Sequence, residues 1–168
     1  MSDADPVVRA LELRRDDLRT TRVTTASLPA VLAGSALLRV ETVGLTANNV
    51  TYGVTGEALG YWSFFPAEPG WGRLPVWGFA TVDRSEVDGV RVGERYFGYL
   101  PLASHLLVEP TAVRDSGFTD GMQHRASLPS PYNSYRSVSY DSLYRADAED
   151  AQAVLLPLFL TSFVLEDY

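Results

Sequence analysis

Residues 74–110 read LPVWGFATVDRSEVDGVRVGERYFGYLPLASHLLVEP. Two short apolar runs, 76–82 and 102–108, flank a middle rich in glycine and charge. Within that middle, Val87, Val90 and Val92 are separated by turn formers, and Gly89 and Gly93 can each supply a positive φ without steric cost. Short strands punctuated by such turns predict a mainly β domain, a compact barrel or sandwich rather than a helical one.

Working outward, the chain has 168 residues, one domain by length and enough to bury a sizeable core. With 46% hydrophobic and 21% charged residues it is composed like a globular protein. Cysteine is absent, which removes disulfides, thiolate ligands and a Cys nucleophile together. A net charge of −7 argues against non-specific nucleic-acid binding, which needs clustered Lys and Arg to displace phosphate counterions. The first residues lack the apolar core of a signal peptide. No run reaches the roughly 20 apolar residues of a membrane span. A cytoplasmic location is the expectation, with no membrane or nucleic-acid partner.

Residues 7–13 fit a first strand. Arg14, Arg15, Arg19 and Arg22 follow, interleaved with Asp16 and Asp17, and read as a solvated loop or as an anion-capturing cluster. Residues 36–43 alternate: Leu38, Val40 and Thr42 share one face, and Leu37, Arg39, Glu41 and Val43 the other, a strand ending at Gly44. Asn48 and Asn49 come next. They read either as turn formers or as amides that point, with the Tyr52 hydroxyl, into a cleft. Residues 57–74 carry Tyr61, Trp62, Phe64, Phe65 and Trp71 among prolines and glycines, which predicts a loop whose rings either plug a core or line a pocket. Residues 111–145 are polar and read as a long irregular segment containing Tyr132, Asn133 and Tyr135. Residues 147–165 are the helical stretch, with Asp147 as a cap, Glu149 and Asp150 in the first turn, and Pro157 as a break or a second start. Its second half is apolar nearly all round, the pattern of a buried helix.

The search for chemistry is short. The two histidines, His105 and His124, have no metal-ligand spacing, and His105 sits in an apolar strand. There is no nucleophile elbow and no phosphate-cradling loop. Gly70-Trp71-Gly72 lacks the third glycine and the strand–turn–helix setting of a dinucleotide fingerprint. The polar candidates left are neutral: Asn48, Asn49, Thr51, Tyr52, Tyr132, Asn133 and Tyr135. Such groups suit polarisation of a carbonyl rather than hydrolysis.

Residues 37–45, the glycine-turn segment 89–98 and residues 103–110 together resemble the N-terminal catalytic domain of medium-chain dehydrogenases/reductases, a GroES-like, partly open β-barrel. Four further motifs narrow the resemblance: Asn48-Asn49-Val50-Thr51-Tyr52, Tyr61-Trp62-Ser63-Phe64-Phe65-Pro66, Pro75-Val76-Trp77-Gly78-Phe79-Ala80 and Tyr132-Asn133-Ser134-Tyr135. They look like a branch of that superfamily described only as a domain of unknown function. Zinc-dependent relatives carry a Cys where this chain has Thr46, and a Gly-His-Glu triplet near Trp77-Gly78-Phe79. The resemblance therefore implies no metal, and zinc-free reduction of an unsaturated carbonyl or quinone-like molecule with NADP. It assigns Tyr52, Asn48 and Asn49 as the catalytic group, with Tyr52 as donor. Tyr61, Trp62, Trp77, Tyr132, Asn133 and Tyr135 become substrate-binding.

Members of the superfamily continue past the segment resembling 155–168 into a Rossmann domain. No glycine-rich strand–helix unit occurs in this chain, so NADP binding is expected only with such a domain. The expected organisation is a barrel over 1–146, with irregular insertions at 57–74 and 111–145, and a helical connection over 147–168. The alternative is a non-catalytic barrel that binds a small apolar ligand or a protein, or that forms a homodimer through the helix from Leu155 to Leu165.

Overall fold

The computed structural model describes residues 7–166, with side chains through residue 159. It is mainly β, as expected: a seven-stranded antiparallel sheet curls into a half-barrel, and a helix follows it. The strands are β1 (Val7–Arg14), β2 (Thr21–Ser27), β3 (Ala36–Gly44), β4 (Trp71–Gly72), β5 (Pro75–Ser85), β6 (Arg95–Pro101), β7 (His105–Val108), β8 (Pro110–Arg114), β9 (Gly117–Asp120) and β10 (Ser134–Ser137). The helices are α1 (Ala47–Val54) and α2 (Glu149–Glu166). The large sheet runs β7-β3-β5-β6-β10-β9-β8, and a small sheet runs β2-β1-β4. The small sheet is tied to the large one by the bonds Leu11 N–H to Leu102 O and Ser104 N–H to Arg9 O, both 2.8 Å.

Strand β5 organises the molecule because its alternation divides it between two environments. Val76, Ala80 and Val82 enter the barrel core with Leu38, Tyr96, Leu100, Val108, Phe118 and Tyr135. Trp77 and Phe79 face the other way, opposite Tyr99 and Phe97 of β6 in register. Bulges in β3 between Leu37/Leu38 and Val40/Thr42 disturb its alternation, so Leu37 and Leu38 are both fully buried. The second bulge brings the Thr42 carbonyl to where a side chain on residue 78 would sit, which is why Gly78 stands there. The turn from β5 to β6 uses Gly89 and Gly93 at φ 82° and 87°, as the sequence predicts.

Three expectations are corrected. The glycine-rich middle of 74–110 contains a full strand, β6, buried along almost its whole length, while the apolar run at 102–108 yields only the four-residue β7. Residues 111–145 are not an irregular insertion: they supply β9, β10 and most of β8 to the main sheet. Strands of four or five residues are too short for periodicity to register, and Tyr135 alone anchors β10 in the core. Finally, α2 neither breaks nor restarts at Pro157. Its early turns lie on the sheet, where Ala153 and Leu156 pack against Phe79 and Phe97. The side chains of 160–166, part of the run expected to self-associate, lie outside the described residues.

Candidate functional site

Asn48 and Asn49, one reading of which made them turn formers, instead lie in α1. Thr46 is extended at φ −133° and ψ 172°, and the Asn49 side chain closes the helix start. Asn49 Oδ1 accepts the Thr46 N–H at 2.6 Å, and its Nδ2 donates to the Pro75 carbonyl at 2.9 Å. The buried amide thus has both ends engaged in pinning α1 to β5. Asn48 is exposed on the helix surface. Three residues past Asn49, Tyr52 projects from α1 toward the outer face of the β5–β6 pair.

There the aromatic side chains converge. Tyr99 of β6 is fully buried and is the hub: its ring centroid lies 4.7 Å from Tyr132, 5.0 Å from Trp77, 5.1 Å from Phe64 and 6.0 Å from Tyr52. Tyr61 adds a ring 4.5 Å from Tyr52 and 6.4 Å from Tyr132. Short 3-10 turns deliver two of these rings, Tyr61–Ser63 carrying Tyr61 and Ser130–Asn133 carrying Tyr132. The four phenols feel one another. Burial first, then neighbouring hydroxyls, raises the pKa of Tyr52, Tyr99 and Tyr132 above the ordinary phenol value. Each therefore stays protonated at neutral pH and is a hydrogen-bond donor. The Tyr99 hydroxyl is buried and closes no hydrogen bond of ordinary geometry; the Tyr52 hydroxyl is the polar group close enough to feel it as a donor.

A recess of about 20 Å³, room for a single water, opens between Thr46, Asn48, Asn49, Tyr52 and Trp77 on one side and Ala153 and Pro157 of α2 on the other. Helix α2 is fixed there by Glu149. Its carboxylate takes Arg95 (Nε to Oε2 2.8 Å, with a second, shorter contact), the Thr42 hydroxyl at 2.8 Å and the Tyr144 hydroxyl at 2.8 Å. The Arg95 bond, opposed by desolvation and helped by Thr42 and Tyr144, lowers the Glu149 pKa to about 2. At Gly44 the α2 backbone comes so close that any side chain would strike the Ala153 carbonyl.

Of the residues expected to form the site, Tyr52, Tyr61, Trp77 and Tyr132 meet in one cluster. Trp62 packs instead with Leu13 and Leu74, touching the cluster only through Tyr52. Asn133 and Tyr135 belong to a separate buried network around Arg125. This guanidinium pairs with Asp120 at 2.7 Å and donates to Asn133 Oδ1 at 3.0 Å, the Tyr135 hydroxyl at 3.0 Å and the Tyr132 carbonyl at 2.6 Å. Tyr135 in turn donates to the Tyr99 carbonyl at 2.7 Å, and burial raises its pKa to about 12. His105 lies in β7, its Nδ1 3.0 Å from the Ser104 hydroxyl, its pKa lowered by burial. In the basic cluster, Arg14 and Arg15 pair with Asp16 and Glu57, and Arg22 with Glu12 and Glu68. Among the described residues no group of three His, Asp or Glu side chains is placed to hold a metal, and no helix is long and apolar enough to cross a membrane.

Sequence reasoning missed Tyr99 and Arg125. The signal for Tyr99 was the alternation within Arg95–Pro101, hidden by the glycines around it. Arg125, in a polar stretch, gave none.

Compared with solved structures, the chain is similar to the human synaptic vesicle membrane protein VAT-1 homolog-like protein, with a TM-score of 0.40 and 15% identity. The match covers 66% of this chain and 38% of that one, so the chain spans well under half of that protein's length. A comparison with curated proteins found no match. Residues 43–168, about three quarters of the chain, match the model of a family described as "Protein of unknown function (DUF2855)". The chain belongs to the DUF2855 family.

Proposed function

We propose that this chain is the substrate-binding half of a zinc-independent, NADP-dependent reductase acting on an unsaturated carbonyl or quinone-like small molecule. The observation that carries the reading is the convergence of Tyr52, Tyr61, Tyr99 and Tyr132 beside Trp77, four neutral donors framed by flat apolar faces. A planar conjugated ligand stacks on such faces, and its carbonyl oxygen accepts from a phenol. Tyr52, on the recess and half-buried, is the donor and proton source. The other tyrosines and Trp77 orient the ring system and exclude water. Because the recess is only about 20 Å³, entry requires the Ala153–Pro157 wall or the Tyr61 turn to move.

The described residues do not fit a dinucleotide. The Gly70-Trp71-Gly72 stretch ends in the two-residue strand β4, and the Trp62 ring covers Gly72. In this reading NADP is held by another domain or chain. The test is NADPH consumption with a panel of enones and quinones, by this chain alone and with any nucleotide-binding domain encoded beside it. Tyr52→Phe is expected to lower turnover by more than roughly tenfold; unchanged turnover removes Tyr52 from its role.

A second reading, a non-catalytic module that docks a protein, draws on the exposed Val50 and Val54 of α1, Leu59 beyond it and Leu155 of α2. No NADPH consumption under any condition, with association of the chain into dimers or onto a partner, favours it.

A further inference from the structure

Tyr99 is the one phenol of the cluster that is wholly enclosed; its hydroxyl closes no hydrogen bond of ordinary geometry, and the nearby Tyr52 hydroxyl satisfies it only in part. Such a group costs the folded protein stability unless something completes it. Its neighbours make clear what kind of group can. The rings of Tyr52, Phe64, Phe65, Trp77 and Tyr132 surround it, all uncharged. The cation that bears on it, Arg125, is already committed to Asp120, Asn133, Tyr135 and the Tyr132 carbonyl. A carboxylate or phosphate entering here loses its water and meets no free positive charge. A neutral carbonyl oxygen loses far less and gains the waiting donor.

We propose that Tyr99 is a second hydrogen-bond donor to the ligand, and that the site selects uncharged conjugated ketones and aldehydes while rejecting the corresponding acids. The inference deepens the reading of the site as a carbonyl-binding cleft and rests on it. It predicts an unusual pairing of effects for one substitution: Tyr99→Phe removes the poorly satisfied hydroxyl, so the free protein melts higher, yet the variant binds its ligand less well.

The experiment uses two probes of matched shape, benzalacetone (a neutral enone) and cinnamate (its acid counterpart). Thermal melting and calorimetric titration are run on the wild-type chain and on Tyr99→Phe. Expected are binding of benzalacetone and not of cinnamate by the wild type, a higher melting temperature for unliganded Tyr99→Phe, and benzalacetone affinity about two- to tenfold weaker in the variant, the worth of one hydrogen bond. Equal benzalacetone affinity in the two proteins, or a lower melting temperature for unliganded Tyr99→Phe, removes Tyr99 and leaves the carbonyl cleft standing. Cinnamate binding as tightly as benzalacetone overturns the selection of neutral ligands. Binding of neither probe by the wild type overturns the carbonyl cleft itself, and the inference with it.

Discussion

At the residue scale, Arg125 has the most at stake. It is almost completely enclosed, as is Asp120, and the acid also accepts backbone N–H bonds from Glu109 at 3.0 Å and Met122 at 3.1 Å. Removing one member strands a buried charge, whereas replacing both removes the charges and leaves neutral groups short of a partner: the Glu109 and Met122 N–H donors, Asn133 Oδ1 and the Tyr132 carbonyl. Arg125→Met is therefore expected to cost about 3–5 kcal/mol in urea unfolding. Adding Asp120→Leu should recover part of that loss but not all, because Glu109 and Met122 still lose their acceptor. The same network accounts for two site residues that sequence spacing grouped with Tyr132. Tyr132 sits in a 3-10 turn and packs into the aromatic cluster, and Tyr135 follows in β10 and faces the barrel, lying against Gly98. Two residues separate them, and the change from turn to strand between them sends the rings to opposite sides of β6. Composition carries no trace of that change.

At the scale of elements, α2 is held by one carboxylate at its start and by backbone contact further on. Pro157 has no N–H for the Ala153 carbonyl, and that carbonyl is the atom that Gly44 allows to approach β3. The helix reads through proline where its backbone lies against β3, a tertiary packing that no local pattern announces. Glu149, with its pKa lowered from 4.5 to about 2, gives the latch a pH signature. Above the ordinary carboxylate range the group is charged whether folded or unfolded, and its contribution is complete. As pH falls from about 4.5 toward 2, the unfolded chain takes up the proton first, so this stability is lost across that window. Amide exchange in α2 should accelerate over the window in the wild type. Glu149→Gln should exchange faster already at neutral pH and lose this component of the pH dependence. The start of α2 was legible from its acidic first turn. Its course beyond Pro157 was not.

At the scale of the whole molecule, the half-barrel was legible because short apolar runs along 36–44 and 75–82 are punctuated by glycine turns at Gly89 and Gly93, even though bulges break the alternation read in β3. What escaped was the far side of the sheet, where β8, β9 and β10 are short and polar and are recruited by their neighbours rather than by their own pattern. The two sheets are bonded to each other through Leu11, Leu102, Arg9 and Ser104, and Leu102 packs in both the barrel core and the Leu13–Trp62 cluster. They are expected to unfold together. A single calorimetric transition that coincides by near- and far-ultraviolet dichroism supports this, and two resolved steps count against it.

The placement of Trp77 has a practical consequence. It is the one tryptophan inside the phenol cluster, with Tyr99 and Tyr132 at 5.0 and 5.9 Å; Trp62 and Trp71 lie in other surroundings, Trp71 beneath the Arg22 guanidinium at 4.1 Å. Light absorbed by the tyrosines is funnelled to that indole, so the protein carries an intrinsic optical gauge of this aromatic cluster. Subtracting the emission of Trp77→Phe isolates a signal that reports on the packing of these rings, with no label attached.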